Sequence, residues 1–136
     1  MTIVLEKDKA TGYWAWLEDC PEEFSGIHTF GTDEADVVAN VRMLMKDFLT
    51  NDFADAPQFV GFNPDTEVFE FRYSLMDFFD TYKALKINSI ADIAGLNRSL
   101  VRQYASGAAT ASVTQIKKIE EAVRSLAQSL LHVSLA

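Results

Sequence analysis

Arg98, Ser99, Arg102 and Gln103 lie within six consecutive positions, and their types are those that read the edges of base pairs. A guanidinium can donate two parallel hydrogen bonds to guanine, a glutamine amide pairs in the same way with adenine, and a serine hydroxyl serves either. Ser106 and Gly107 follow where a helix carrying these residues would end and its backbone could meet a phosphate. Lys117 and Lys118 supply further cations for phosphate oxygens from a later helix. The chemistry these residues suit is non-covalent recognition of duplex DNA.

Such side chains need a rigid support, and the segment NSIADIAGLNRSLVRQYASG, residues 88–107, has one written into it. Two short helices that cross steeply need a small residue where they approach, and Ala91 takes that place. The turn between them needs a residue that tolerates positive φ, which Gly95 provides. Ile90, Ala94, Leu96, Val101 and Tyr104 are the apolar positions that seal the pair onto a core, and Asn97 is suited to cap the second helix. The spacing predicts helices over about 89–94, 98–106 and 112–131, after one that Ser74 caps and that carries Leu75, Phe78, Phe79 and Tyr82.

Upstream of Ser74 the apolar period is different. TIVLEK and YWAWLE alternate around the Thr11-Gly12 turn, which predicts a β-hairpin, and a third short strand is expected over Gly26–Phe30. Thr32 or Asp33 then caps a helix with Val37, Val41, Leu44 and Phe48 on its apolar stripe, ending near Asn51. Residues 51–66 predict a loop with a short extended piece at Gln58–Phe62, and EVFEFRYS a closing strand. The predicted class is α+β: a small, mainly antiparallel N-terminal sheet with one helix over residues 1–74, then an all-α helix-turn-helix domain over 75–136.

Charge follows the same division. Residues 1–80 hold 17 Asp and Glu against 5 Lys and Arg, a balance of −12, while 81–136 hold 3 against 7, a balance of +4. The overall −8 therefore does not argue against a nucleic-acid partner, because the Debye length at physiological salt is about 8 Å and local charge governs contact. A single cysteine, Cys20, excludes an internal disulfide framework and fits a reducing compartment. With no membrane-span-length apolar run and no secretory signal pattern, the expected location is the cytoplasm.

Catalytic chemistries find less support. Metal-dependent phosphodiester cleavage needs several converging carboxylates, and Asp8, Asp19, Glu22, Glu23 and Asp33 fall in turns and at helix starts. Glu6, Glu18 and Glu70 on the strands are explained by the wet side of an alternating pattern. His28 and His132 have no partner at ligand spacing, and no cofactor motif occurs. Cys20 lacks neighbouring cations that would make it a nucleophile. Trp14 and Trp16 share one strand face and suit a core or a dimer interface. No enzyme activity, metal or cofactor is expected.

The pattern L-x-R-x-Y-x-S-G over residues 100–107, after the Ala91–Gly95 turn, resembles the lambda-repressor and Cro-type helix-turn-helix, over roughly residues 74–125. That resemblance places Arg98, Ser99 and Gln103 where base-reading residues lie, and Ser106 at a backbone contact. Residues 1–74 resemble the HicB-like antitoxin fold, a truncated ribonuclease-H-like sheet. The matching residues are Glu6-Lys7-Asp8, Gly12-Tyr13 with Ala15, and Thr29 with Gly31-Thr32 leading into a helix with Ala35 and Asn40. Membership would imply an antitoxin that binds a small basic RNA-cleaving toxin and represses its own operon, as a homodimer or higher even oligomer on operator DNA. The rival expectations are a stand-alone dimeric transcriptional regulator, whose N-terminal domain dimerises or senses a ligand, and an adaptor that never touches DNA.

Overall fold

The computed structural model describes all residues, Met1–Ala136. They form two compact units, Met1–Tyr73 and Ser74–Ala136.

The first unit is a four-stranded sheet with one helix. Strands β1 (Thr2–Lys7) and β2 (Tyr13–Glu18) form the expected hairpin, with Ile3 opposite Leu17 and Leu5 opposite Ala15. β3 (His28–Gly31) adds antiparallel to β2, and β4 (Glu70–Tyr73) adds parallel to β1 on the other side, giving the order β3-β2-β1-β4. Helix α1 (Glu34–Asn51) makes the return between β3 and β4, as a parallel pairing requires a crossover. Alternation along the strands sends Ile3, Leu5, Tyr13, Ala15 and Leu17 to one face, where they are buried with Val37, Val41 and Met45 of α1.

Polar ties hold the helix to the sheet. Asp33 caps α1 by accepting from the Asp36 amide at 2.8 Å, and Asn40 donates its side-chain amide to the Phe30 carbonyl of β3 at 2.8 Å. Arg42 donates to the carbonyls of Pro64 and Glu67, both at 3.0 Å, and so pins the return loop. That loop differs from the expectation in detail. Pro57–Phe59 is a short 3-10 turn in place of an extended piece at Gln58–Phe62. The cause is packing: Phe59 and Phe62 turn inward against Phe24, with ring centroids 5.0 and 5.8 Å away. The last strand is also shorter than EVFEFRYS suggests, since only Glu70–Tyr73 pair with β1 and Val68 is exposed.

The second unit is all helical: α2 (Leu75–Thr81), α3 (Ile87–Ala94), α4 (Arg98–Ser106) and α5 (Val113–Leu131). Ser74 caps α2 through the Asp77 amide at 3.1 Å. Phe79, Ile90, Ala91, Val101, Tyr104, Ile119 and Ala122 form its core. The fold is thus α+β, a mostly antiparallel sheet with one helix followed by a helical unit. No helix is long and apolar enough to cross a membrane.

Candidate nucleic-acid interface

The turn between α3 and α4 sets the geometry of the site. Gly95 sits at φ 69°, ψ 28°, the left-handed conformation that a side chain disfavours. The Leu96 amide donates to the Ala91 carbonyl at 3.0 Å and the Gly95 amide to the Asp92 carbonyl at 3.2 Å. This closes α3 in a Schellman arrangement and satisfies carbonyls that the helix end leaves open. Two residues on, Asn97 accepts from the Leu100 amide at 3.2 Å and starts α4. Ala91 is fully buried where the two helices meet, as are Ile90 and Val101. Ala94 and Leu96 pack on the same core in part.

With Val101 and Tyr104 inward, the opposite side of α4 presents Arg98, Ser99, Arg102 and Gln103, all exposed. Residues 98 and 102, and 99 and 103, are one turn apart, so the four share a surface. Ser106 is exposed at the helix exit, where its hydroxyl donates to the Gln103 carbonyl at 3.1 Å and accepts from the Ala108 amide at 3.4 Å. Lys117 and Lys118 are exposed in the first two turns of α5. Tyr104 and Gln115 tie α4 to α5 through a hydrogen bond of 2.6 Å.

One member of the set is engaged within the chain. Arg98 donates Nε to Asp92 Oδ1 at 2.8 Å and Nη2 to Asp92 Oδ2 at 2.6 Å, in a side-on bidentate pair. The hydrogen bonds and charge of Arg98 hold the Asp92 carboxyl below the usual carboxylate range, and Asp92 in turn raises the guanidinium. Sequence reasoning passed over Asp92. Its signal was present, for it is the one acid between Thr81 and Ile119, a stretch that holds six Lys and Arg.

The unit boundary also revises the charge balance. The helical unit begins at Ser74, so Asp77 and Asp80 belong to it, and its 7 Lys and Arg meet 5 Asp and Glu, a balance of +2. Both added acids precede the helix-turn-helix, which leaves the basic stretch from Lys83 to Lys118 unchanged.

The first unit presents a different surface. α1 covers one sheet face, and the other carries Trp14 and Trp16 of β2, Phe30 and His28 of β3, Val4 and Glu6 of β1, and Arg72 of β4. Trp14 is 54% exposed and meets Phe30 edge-on, with centroids 5.2 Å apart, so neither tryptophan lies in the buried core. Glu18 is not a free carboxylate there, since Arg72 pairs with both Glu18 and Asp19. No three His, Cys, Asp or Glu come together in an arrangement that could hold a metal ion. Burial, and secondarily the charge of Asp19, push the Cys20 thiol up, away from nucleophilic character.

Compared with protein-family models, curated proteins and solved structures, the chain matches none.

Proposed function

We propose that the chain is a DNA-binding transcriptional repressor of the antitoxin type, which reads duplex DNA as a dimer through α4. The observation that carries this is the outward face of α4. Arg98, Ser99, Arg102 and Gln103 stand together on a short helix whose start, end and packing are each fixed by named contacts. Side chains that read bases must be held within small tolerances, and a helix capped at both ends and sealed on one side meets that need. Lys117 and Lys118 add phosphate contacts, with Ser106 at the helix exit. Two copies would set their α4 helices about 34 Å apart, one turn of duplex.

In this proposal the first unit provides dimerisation and the surface for a small basic RNA-cleaving toxin, as the HicB-like resemblance implies. Two features favour a basic protein partner there. Residues 1–73 hold 15 Asp and Glu against 5 Lys and Arg, which draws a cationic protein and repels an acidic one. The open sheet face also offers exposed aromatic area at Trp14, the kind of anchor that interfaces use. The second proposal, a stand-alone dimeric regulator without a toxin, shares the DNA-binding half.

The test is affinity selection followed by mutation. The full chain is incubated with a pool of random duplexes, bound DNA is amplified, and the recovered sequence is titrated by fluorescence anisotropy. The expected result is a two-fold symmetric site, with Arg98→Ala and Arg102→Ala each weakening it by about fivefold or more, given 1–3 kcal/mol for a bidentate base contact. A pool with no recovered sequence, or unchanged binding by both variants, would remove DNA reading by α4. Recovery of the tagged chain from its host with a stoichiometric small basic protein, released by high salt, supports the antitoxin half. Recovery of the chain and DNA alone leaves the stand-alone regulator.

A further inference from the structure

The Asp92–Arg98 pair is placed against the local electrostatics on both sides. Asp92 lies in the last turn of α3, where the helix's negative end disfavours an anion. Arg98 is the first residue of α4, where the positive end disfavours a cation. The two side chains are 51% and 57% exposed, and an exposed ion pair adds little to folding. Asp92 also puts a negative charge next to the face proposed to meet phosphates, with no other acid from Tyr82 to Lys118 to share that cost. The helix ends oppose both placements, and what the two side chains gain there is a two-point hydrogen-bonded pair.

A guanidinium has five N–H donors in a fixed plane. Asp92 takes the Nε–H and one Nη2–H, which is one edge of the fork. The other edge, with one N–H from Nη1 and one from Nη2, points away from Asp92 and remains available for a pair of acceptors. Guanine presents such a pair, O6 and N7, in the major groove. Building on DNA binding through α4, we propose that Asp92 is a specificity-determining positioning residue: it locks Arg98 so that the end-on edge of its guanidinium addresses guanine. The carboxylate also works against wrong placements. An Arg98 that swung away to a phosphate would leave Asp92 unpaired beside the DNA backbone, so the pair favours the base contact over a non-specific one.

Holding the rotamer in advance removes an ordering cost that binding would otherwise carry, about 0.5–1.5 kcal/mol for a long side chain, equivalent to about two- to tenfold in preference. The experiment is selection from the random duplex pool with the full-length chain and its Asp92→Ala, Arg98→Ala and double variants. Circular dichroism melting shows that each variant is folded. Arg98→Ala identifies its own position in the selected site as the guanine that loses preference. The proposal expects Asp92→Ala to lower guanine preference at that position about two- to tenfold and to leave the other positions as they were. Affinity for an unselected duplex should hold or rise, because a carboxylate has been removed. In the Arg98→Ala background, Asp92→Ala should leave the base preferences as they are, since Arg98 is the only side chain through which Asp92 would set them. An unaltered guanine preference in Asp92→Ala overturns the proposal, and so does a loss spread equally over all positions, which marks a staple of the turn. If the wild-type chain selects no sequence, DNA binding itself fails and Asp92 has no specificity to set. That outcome is distinct from the other two.

Discussion

Tyr104 donates its hydroxyl to Gln115 Oε1 at 2.6 Å, and the same oxygen closes the capping box of α5 by accepting from the Ser112 amide and hydroxyl at 3.2 Å. One carbonyl oxygen thus fixes the start of α5 and ties it to the helix that carries Arg98 and Gln103. The arrangement makes the orientation of α4 depend on a residue eleven positions beyond Tyr104. Tyr104→Phe keeps the ring in the core and removes only the donor, so it should destabilise the helical unit by about 0.5–1.5 kcal/mol. Urea titration followed by far-ultraviolet circular dichroism would show the lower midpoint.

Two glycines separate backbone strain from steric crowding. At Gly95 an added methyl meets nothing within 4 Å, and only its φ of +69° opposes a side chain. Gly95→Ala should therefore cost about 1–2 kcal/mol, and Gly95→Asn, which tolerates this conformation, should recover part of it. At Gly31 the backbone is permissive but an added Cβ would lie 2.7 Å from the Val37 amide nitrogen at the start of α1. The neighbour there is backbone and cannot swing aside, so Gly31→Ala should cost about 1–3 kcal/mol and Gly31→Asn should recover none of it. Thermal melting of the four variants decides whether the two positions differ in kind.

Local signals account for what could be read in advance. The hairpin, α1 and the four C-terminal helices rest on periodicity, caps and turn glycines, all encoded within a few residues of where they act. The switch from period two to period 3.6 at Ser74 coincides with the end of β4 and the cap of α2. What periodicity could not reach was set by distant contacts. Phe59 and Phe62 are drawn inward by Phe24, more than thirty residues earlier. Val68 alternates like a strand residue, but only residues from Glu70 onward lie beside β1. The exposed face of α4 was legible because Val101 and Tyr104 declare the buried one. Asp92 stood out as a lone acid in a basic stretch, but its use shows only when its distance to Arg98 is known.

Proton binding at Asp92 gives a second view of its pairing. Its carboxyl lies below the ordinary range because Arg98 hydrogen-bonds and attracts the ionised form. A depressed carboxyl contributes its stabilisation fully above the unfolded value of about 3.9, and loses it as pH falls through the folded value. The pair should therefore be constant from pH 6 to 8 and open only in strong acid. Carbon-13 titration of the side-chain carboxyls should place the midpoint of Asp92 below that of an unpaired aspartate, and Arg98→Ala should return it to about 3.9. A normal midpoint in the wild-type chain would mean that the side-on pair does not persist in solution.

Cys20 offers a chemical probe of the first unit. Its thiol is pushed up chiefly by burial and next by the adjacent Asp19 carboxylate, and only the thiolate reacts with an alkylating agent. At pH 8 iodoacetamide should modify the folded chain severalfold more slowly than the same chain in urea, and the folded rate should keep climbing at pH values where the unfolded rate has levelled. Asp19 sits at φ 51°, accepts from the Thr2 hydroxyl at 2.9 Å and pairs with Arg72. Asn tolerates that backbone conformation and can still accept, so Asp19→Asn removes the charge with little change of shape. It should raise the alkylation rate at pH 8 without approaching the rate in urea, because burial is the larger cause. If Asp19→Asn alone restored the unfolded rate, charge and not burial would govern the thiol, and the packing of Cys20 against the sheet core would be looser than its surroundings indicate.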